Sequence, residues 1–226
     1  TAVSSGGAGW RLLVAAVWVL ASLGLQAQPD LAREQRPAEQ TMDAILDGEP
    51  IQLEQPDGPP FFAIYTESFD GPARGAVLLL HGRGMHPDWA QVIRPLRIRL
   101  AEDGWNTLSI QVPVLEKEAK YFDYLPTFPY AIPRIEAALD FLREAGNERV
   151  TLLAHSCGVH MANHWMLAQG AAVNARIDAY VGIGMGATDW GQPMQEPYAL
   201  PQLTVPVLDL YGEMDYGGVL RNAAER

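Results

Sequence analysis

The chain has 226 residues, of which 48% are hydrophobic and 19% are charged. This composition is typical of a globular protein with one sizeable core, and it excludes collagen-like, coiled-coil and disordered chains. The formal net charge is −11, so the surface repels phosphate backbones and no nucleic-acid partner is expected. Neither an internal repeat nor a long linker divides the sequence, and we expect one domain.

The first 27 residues have the pattern of a secretory signal peptide. Arg11 precedes an apolar run at residues 12–25, which is shorter than the roughly 20 residues of a transmembrane helix. Ala27 supplies the small residue that favours cleavage. We therefore expect residues 1–27 to be removed, leaving a periplasmic or secreted protein without a stable membrane span. An uncleaved membrane anchor is the alternative.

A polar leader and a hairpin are predicted before the main domain. Residues 28–48 are compatible with one short helix, and we interpret them as a leader segment. Two β-type stretches, Ile51–Glu54 and Phe61–Thr66, flank a turn rich in Pro and Gly at residues 55–60. We expect them to form an antiparallel hairpin at the edge of a sheet.

From Gly75 onwards, apolar runs alternate with helical patterns. The runs are Ala76–Leu80, Thr107–Val112, Val150–Ala154, Tyr180–Ile183 and Val205–Leu210. Such unalternating runs are typical of strands that are buried on both faces. Amphipathic helices are expected near residues 89–100, 132–142 and 158–168, and a further helix begins at Gly218. This rhythm predicts an α/β domain over residues 49–226, with a mostly parallel, doubly wound sheet and helices on both faces.

The segment from Val114 to Tyr130 is long, charged and rich in aromatic residues. Loops of this length in compact domains are often lids or walls of a binding site. A packed surface excursion is the other interpretation, and the sequence leaves both open.

Residues 154–158, Ala-His-Ser-Cys-Gly, lie between a predicted strand and a predicted helix. A nucleophile elbow needs small residues two positions before and after its serine, because the turn is tight. Ala154 and Gly158 meet that requirement, although glycine is more usual at the first position. Ser156 is therefore the candidate nucleophile. The alternative is a serine that only caps the N-terminus of the helix.

The sequence His81-Gly82-Arg83-Gly84 follows the first buried strand. Since the carboxyl ends of parallel strands meet at one edge of the sheet, this turn should lie beside the elbow. The backbone N–H groups of Arg83 and Cys157 are the candidate oxyanion donors. We expect His81 to be a structural, hydrogen-bonded histidine. The Arg83 side chain could steer an anionic substrate, but a solvated surface arginine is the simpler interpretation.

An acidic residue is expected after the strand that ends at Leu210. Asp215 is the candidate, with Asp189 as the fallback, and it would orient a catalytic histidine and stabilise its charged form. A turn or helix-capping role is the alternative for both residues. Because residues 216–226 contain no histidine, we expect the catalytic histidine beyond the end of this chain. The domain is accordingly expected to be truncated at its C-terminus.

The remaining polar motifs do not predict a metal or a cofactor. His160 and His164 are four residues apart on a helix, a spacing that can bind a metal, but no third ligand accompanies them. We expect both to belong to the helix surface or the packing. The single cysteine, Cys157, allows no internal disulfide. Residues 182–186, Gly-Ile-Gly-Met-Gly, have the wrong spacing for a dinucleotide site.

Four stretches resemble a bacterial group of exported α/β-hydrolase-like proteins of unknown function. They are Leu78–Trp89, which includes HGRGMHPDW, Gly104–Ser109, Ala154–Gly158 and the leader residues Ala32–Arg36. The resemblance covers about residues 30–215. It implies the α/β-hydrolase fold, a serine hydrolase and a periplasmic location, but no particular substrate.

The sequence thus predicts a serine hydrolase that cleaves an acyl, ester-type bond of a small molecule. Its chemistry would use Ser156, a histidine outside this chain and Asp215, and it requires neither a metal nor a cofactor. The alternative is a non-catalytic binding protein of the cell envelope that keeps the same fold.

Overall fold

The computed structural model describes residues 28–226, and the predicted signal peptide at residues 1–27 lies outside them. The described part contains a seven-stranded mixed sheet with the strand order β1-β2-β4-β3-β5-β6-β7. The strands are β1 (Glu49–Leu53), β2 (Phe61–Thr66), β3 (Ala76–Leu80), β4 (Asn106–Ile110), β5 (Val150–His155), β6 (Ala179–Ile183) and β7 (Val207–Leu210).

Helices precede the sheet and connect most of its strands. They are α1 (Leu31–Thr41), α2 (Ile93–Glu102), α3 (Tyr121–Tyr124), α4 (Ala131–Glu144), α5 (Cys157–Gln169), α6 (Val173–Arg176) and α7 (Gly217–Asn222). Within residues 28–226, no helix has both the length and the apolar character that crossing a membrane requires.

The predicted hairpin at the sheet edge is confirmed. Strands β1 and β2 pair antiparallel, with Glu49 opposite Tyr65 and Leu53 opposite Phe61. Strand β2 then pairs antiparallel with β4. The polar turn between β1 and β2 allows this pairing, and β1 forms one edge of the sheet.

The other strands pair in parallel, and their register aligns their carboxyl ends. Leu80 at the end of β3 lies opposite Ala154 of β5. Ile183 at the end of β6 lies opposite His155 of β5 and Leu210 of β7. The loops that follow β3, β5, β6 and β7 therefore meet at one edge, as the strand-and-helix rhythm predicts.

Alternate residues of the central strands supply two separate layers of core. Leu78 and Leu152 belong to the layer that contains α4 and α5. Leu79 and Leu153 belong to the layer on the other face, with Ile93 of α2. Because side chains alternate across a strand, a run without polar residues requires both faces to be covered. Helices on both faces confirm the predicted doubly wound architecture.

Strand β7 departs from the prediction of burial on both faces. Val207, Leu208 and Leu210 are 42%, 53% and 50% exposed. Within residues 28–226, β7 pairs with β6 alone and forms the second edge of the sheet. The prediction was wrong here because an apolar run is the same in an edge strand and in a central one; only the neighbouring elements differ.

The segment between β4 and α4 is packed against the domain. Tyr121, Tyr124 and Phe128 are almost fully buried and belong to the main core layer. The Tyr124 hydroxyl accepts a hydrogen bond from the backbone N–H of Leu115 at 2.9 Å. The segment is therefore a packed excursion, and because its Tyr121 lines the cavity described below, it also forms part of the wall of that cavity.

Candidate active site

Ser156 has an unusual backbone conformation at the junction of β5 and α5. Its φ is +52° and its ψ is −116°, and it is the sole non-glycine residue with a positive φ in the described part of the chain. Its N–H donates to the Ile183 carbonyl at 2.8 Å, which attaches the turn to β6. Its hydroxyl makes no capping hydrogen bond with the helix. The structure therefore speaks against the alternative in which Ser156 is only a helix cap.

The small residues around Ser156 are required by the close approach of neighbouring backbone. A Cβ added to Gly158 would lie 2.6 Å from the carbonyl oxygen of His81 and 3.0 Å from that of Leu80. Ala154 is fully buried. The start of α5 thus lies directly against the end of β3, and the predicted elbow geometry is present.

A cavity of about 340 Å³ opens above Ser156 at the carboxyl edge of the sheet. One wall is apolar and comes from Met85, Trp89 and Val92, in the loop that precedes α2. Tyr121 and Thr188 also line the cavity. The volume lies in the range of small-molecule sites, and this kind of lining, mostly apolar with a few polar groups, is typical of them.

Two backbone N–H groups beside Ser156 are available to a ligand. Arg83 and Cys157 both line the cavity. Among the described residues, neither N–H donates a hydrogen bond. Cys157 is also the first residue of α5, where the positive end of the helix dipole favours negative charge. Two free N–H groups of this kind could together bind an anionic oxygen.

The Arg83 side chain is not a solvated surface arginine, so that expectation was wrong. Its guanidinium forms a two-point ion pair with Asp189, at 2.5 Å and 3.3 Å. The Asp189 carboxylate also accepts the Tyr121 N–H at 2.8 Å. Burial raises the pKa of this carboxyl, but the hydrogen bonds from Arg83 and Tyr121 outweigh burial and lower its pKa below the ordinary value. Asp189 is therefore held ionised by its partners.

Asp215 lies in the loop after β7, as predicted from the strand order. Its carboxylate accepts the N–H groups of Gly212 at 3.1 Å and Tyr216 at 2.7 Å. A Cβ added to Gly184 would lie 4.0 Å from its Oδ2, so the carboxylate stands beside the end of β6. These bonds are those of a turn aspartate. Since a carboxylate offers about four acceptor positions, they leave room for another donor.

His81 has the structural role that the sequence predicts. It is fully buried; its Nδ1 lies 2.8 Å from the Gly82 carbonyl oxygen, and its Nε2 accepts the Val112 N–H at 3.1 Å. Burial lowers its pKa to about 3, so the ring is neutral at physiological pH. The ring connects the ends of β3 and β4.

The other histidines do not hydrogen-bond to Ser156 within the described structure. His160 is buried and its Nε2 lies 3.1 Å from the Ala187 carbonyl oxygen. His164 pairs with Glu196 at 2.5 Å. Burial lowers the pKa of His155, and the charge of Asp215 partly opposes that effect. Over residues 28–226, no three His, Cys, Asp or Glu side chains converge as a metal site would require.

Sequence reasoning missed the side chains that shape the cavity. Met85 and Trp89 lie in the motif that suggested the family resemblance, but neither was expected at the cavity, and Trp89 was assigned to the apolar face of a helix that in fact begins at Ile93. Their position just after β3, at the functional edge of the sheet, is the signal that could have identified them. Tyr121 had no such signal, because it reaches the cavity from an irregular segment.

The sheet order, the elbow and the cavity together define the α/β-hydrolase fold, and comparison with solved structures agrees. Esterase Pf2001 of Pyrococcus furiosus superposes with a TM-score of 0.58 at 15% identity, over 84% of this chain and 78% of that one. Est1E from Butyrivibrio proteoclasticus gives 0.56 at 17% identity, over 79% and 83%. A cold-adapted esterase from an Arctic intertidal metagenomic library gives 0.56 at 21% identity, over 78% of both chains.

The sequence is also similar to a protein family of unknown function, DUF3530, whose model matches residues 17–125. This match includes the HGRGMHPDW stretch and agrees with the resemblance noted in the sequence. Curated proteins gave no match.

Proposed function

We propose that the protein is a serine hydrolase that cleaves an acyl, ester-type bond of a small molecule. The observation that carries this proposal is Ser156, whose left-handed backbone presents an uncapped hydroxyl to a cavity with two free N–H groups. Strained residues of this kind persist where the surrounding fold holds them, often at catalytic sites. The structural neighbours named above are esterases, which agrees with this assignment.

In the proposed reaction, the Ser156 oxygen attacks the ester carbonyl carbon. The Arg83 and Cys157 N–H groups hold the oxyanion of the tetrahedral intermediate. A general base takes the hydroxyl proton and passes it to the leaving alcohol, which is the role of the histidine in a Ser, His, Asp mechanism. Water then attacks the acyl-enzyme by the same route and releases the acid. No cofactor enters this scheme.

We assign the acid of this scheme to Asp215 rather than to Asp189. Asp189 is occupied by the two-point pair with Arg83 and by the Tyr121 N–H. Asp215 retains acceptor capacity and follows β7, where the Ser, Asp, His order requires the acid. It would orient the histidine and stabilise the imidazolium without taking the proton.

A non-catalytic binding protein of the cell envelope is the second candidate. It is favoured by one observation, that no histidine hydrogen-bonds to Ser156 in the described part of the chain. For both candidates we propose export, on the basis of the signal-peptide pattern at residues 1–27.

A fluorophosphonate probe, which phosphonylates activated serines, separates the two candidates. We expect the protein to be labelled and Ser156→Ala to lose the label completely. Ser68→Ala is the matched control and should label like the wild type. Ser68 follows β2, which runs antiparallel to β4, so it lies at the amino ends of the parallel strands and not at their carboxyl ends. An unlabelled wild type would favour the binding protein, and a label that survives in Ser156→Ala would exclude Ser156 as the nucleophile.

A further inference from the structure

Three loops that are distant in the sequence meet at the carboxylate of Asp189. Asp189 follows β6, Arg83 follows β3, and Tyr121 begins α3. Arg83 reaches it with two guanidinium nitrogens, and Tyr121 reaches it with its backbone N–H at 2.8 Å. Two-point arginine–carboxylate pairs fix direction as well as distance. This carboxylate is therefore a joint between the loops that surround the cavity.

The joint is reinforced by further hydrogen bonds between the Tyr121 segment and the loop after β6. The Phe122 N–H donates to the Gln192 side chain at 2.9 Å. The Tyr121 hydroxyl accepts the Gln195 N–H at 3.0 Å. These two segments thus form one unit, to which Asp189 belongs. Only the Arg83 side chain connects this unit to the turn that follows β3 by an ion pair, counting the pairs within residues 28–226.

Arg83 lies between two glycines, Gly82 and Gly84, which offer no side chain to anchor the turn. The Met85 N–H donates to the Gly82 carbonyl at 3.2 Å, and that carbonyl oxygen also lies 2.8 Å from His81 Nδ1. The Tyr124 hydroxyl interacts with the Gly84 backbone. To these contacts the guanidinium adds a charged, two-point attachment of the residue whose own backbone N–H is the proposed donor. Its side chain is 33% exposed and that of Asp189 is 20% exposed, so water weakens the pair only in part.

We propose that the Arg83–Asp189 ion pair is a positioning pair, which holds the Arg83 N–H at the place where the oxyanion forms. This inference rests on the serine hydrolase proposed above. Neither side chain needs to touch the substrate. The Arg83 charge is balanced by Asp189, so the pair does not serve to attract an anionic substrate.

A donor that acts on the oxyanion stabilises the transition state more than the bound ester. Loosening the turn should therefore lower kcat and leave KM almost unchanged. Losing one oxyanion donor altogether costs about 100- to 1000-fold in kcat. For Asp189→Asn, which displaces the donor without removing it, we expect a loss of about 10- to 100-fold.

The test measures kcat and KM per labelled serine, with fluorophosphonate titration counting the active sites. The substrates are p-nitrophenyl acetate, which is neutral, and the p-nitrophenyl monoester of succinate, which is anionic. We expect Asp189→Asn to lower kcat equally for both esters, with KM changed by less than about threefold. Arg83→Lys keeps the charge but loses the two-point geometry, and it should lose about tenfold in kcat.

Two controls separate positioning from general loss of structure. Arg176→Gln removes two ion pairs, with Glu136 and with Asp140, and neither partner lines the cavity. The stability of this variant should fall while its kcat per labelled serine stays at the wild-type value. Arg99→Gln, in an exposed pair with Glu102, should leave both unchanged. If Asp189→Asn does not fold, Arg83→Lys alone decides.

The outcomes are distinct. If the wild type is labelled and the kcat values of Asp189→Asn and Arg83→Lys both lie within twofold of the wild-type kcat, the positioning role is overturned and the hydrolase proposal stands. A loss confined to the anionic ester, seen in KM, would instead make Arg83 a substrate-binding residue and also overturn it. A wild type without labelling would remove the hydrolase and this inference together.

Discussion

Ser156 combines a backbone conformation that suits glycine with the hydroxyl that we propose as the nucleophile. A φ of +52° with a ψ of −116° costs a non-glycine residue about 1–3 kcal/mol, and the surrounding fold must hold it there. The elbow is held by the hydrogen bond to Ile183 and by the contact between Gly158 and the end of β3. A residue kept for stability alone would be glycine at this position.

Comparing Ser156→Gly with Ser156→Ala measures this strain. Both variants lose the hydroxyl, but only glycine adopts the conformation without cost. After the entropy that glycine adds to the unfolded chain is subtracted, we expect Ser156→Gly to be more stable by about 1 kcal/mol. Urea denaturation of the two variants gives the difference in free energy of unfolding. Equal stability, or a more stable alanine variant, would mean that Ser156 is not strained.

Among the elements, helix α1 is attached to the domain through a buried ion pair. Glu34 contacts Arg134 of α4 at 2.9 Å, with side-chain exposures of 7% and 3%. The Glu34 carboxylate also accepts the Val114 N–H at 3.2 Å. Burial raises the pKa of Glu34 more than Arg134 and Val114 lower it. The pair thus specifies where the leader helix docks, and it is not a large net source of stability.

Removing one partner of this pair should nevertheless be costly. Glu34→Ala leaves the Arg134 charge buried without its carboxylate, and we expect the free energy of unfolding to fall by about 3–5 kcal/mol. Glu102→Ala, in the exposed pair with Arg99, should lose no more than about 1 kcal/mol. Chemical denaturation at neutral pH measures both. Equal, small losses in the two variants would show that α1 is not docked through Glu34.

On the scale of the whole molecule, neutral histidines inside the core link stability to pH. Burial lowers the pKa of His81 to about 3 and that of His160 to about 4. In the unfolded chain both titrate near the ordinary value of about 6.5. Between about pH 6.5 and 4, the unfolded state therefore binds protons at these histidines, and the folded state does not. The contribution of these histidines to the free energy of unfolding is complete above pH 6.5 and is lost as the pH falls through this window.

His160→Gln isolates one of these contributions. Glutamine can still donate to the Ala187 carbonyl oxygen but does not titrate. From pH 7.5 to pH 5, we expect the wild type to lose about 2 kcal/mol more stability than the variant, because each pKa unit is worth about 1.4 kcal/mol. Urea denaturation at several pH values provides the comparison. Parallel pH dependences would falsify the assignment of a neutral, buried His160.

Much of the fold could be predicted because its patterns are local. The apolar run at residues 76–80 matches β3 at both ends, and the turn chemistry at residues 55–60 separates β1 from β2. The predicted strand at residues 205–210 begins two residues late, at Val207, and its burial was wrong. Whether a second layer covers an apolar strand depends on the elements around it, which are not encoded in the strand itself.

The sequence by itself determined the elbow, because small residues around Ser156, a preceding apolar strand and a following helix are all local features. It also placed Arg83, Cys157 and Asp215 at strand ends, which parallel pairing brings to one edge. Only the tertiary structure decided that Arg83 pairs with Asp189, 106 residues away, and that Tyr121 joins them. Such partners cannot be predicted from local periodicity, since the packing of loops with no repeating pattern selects them.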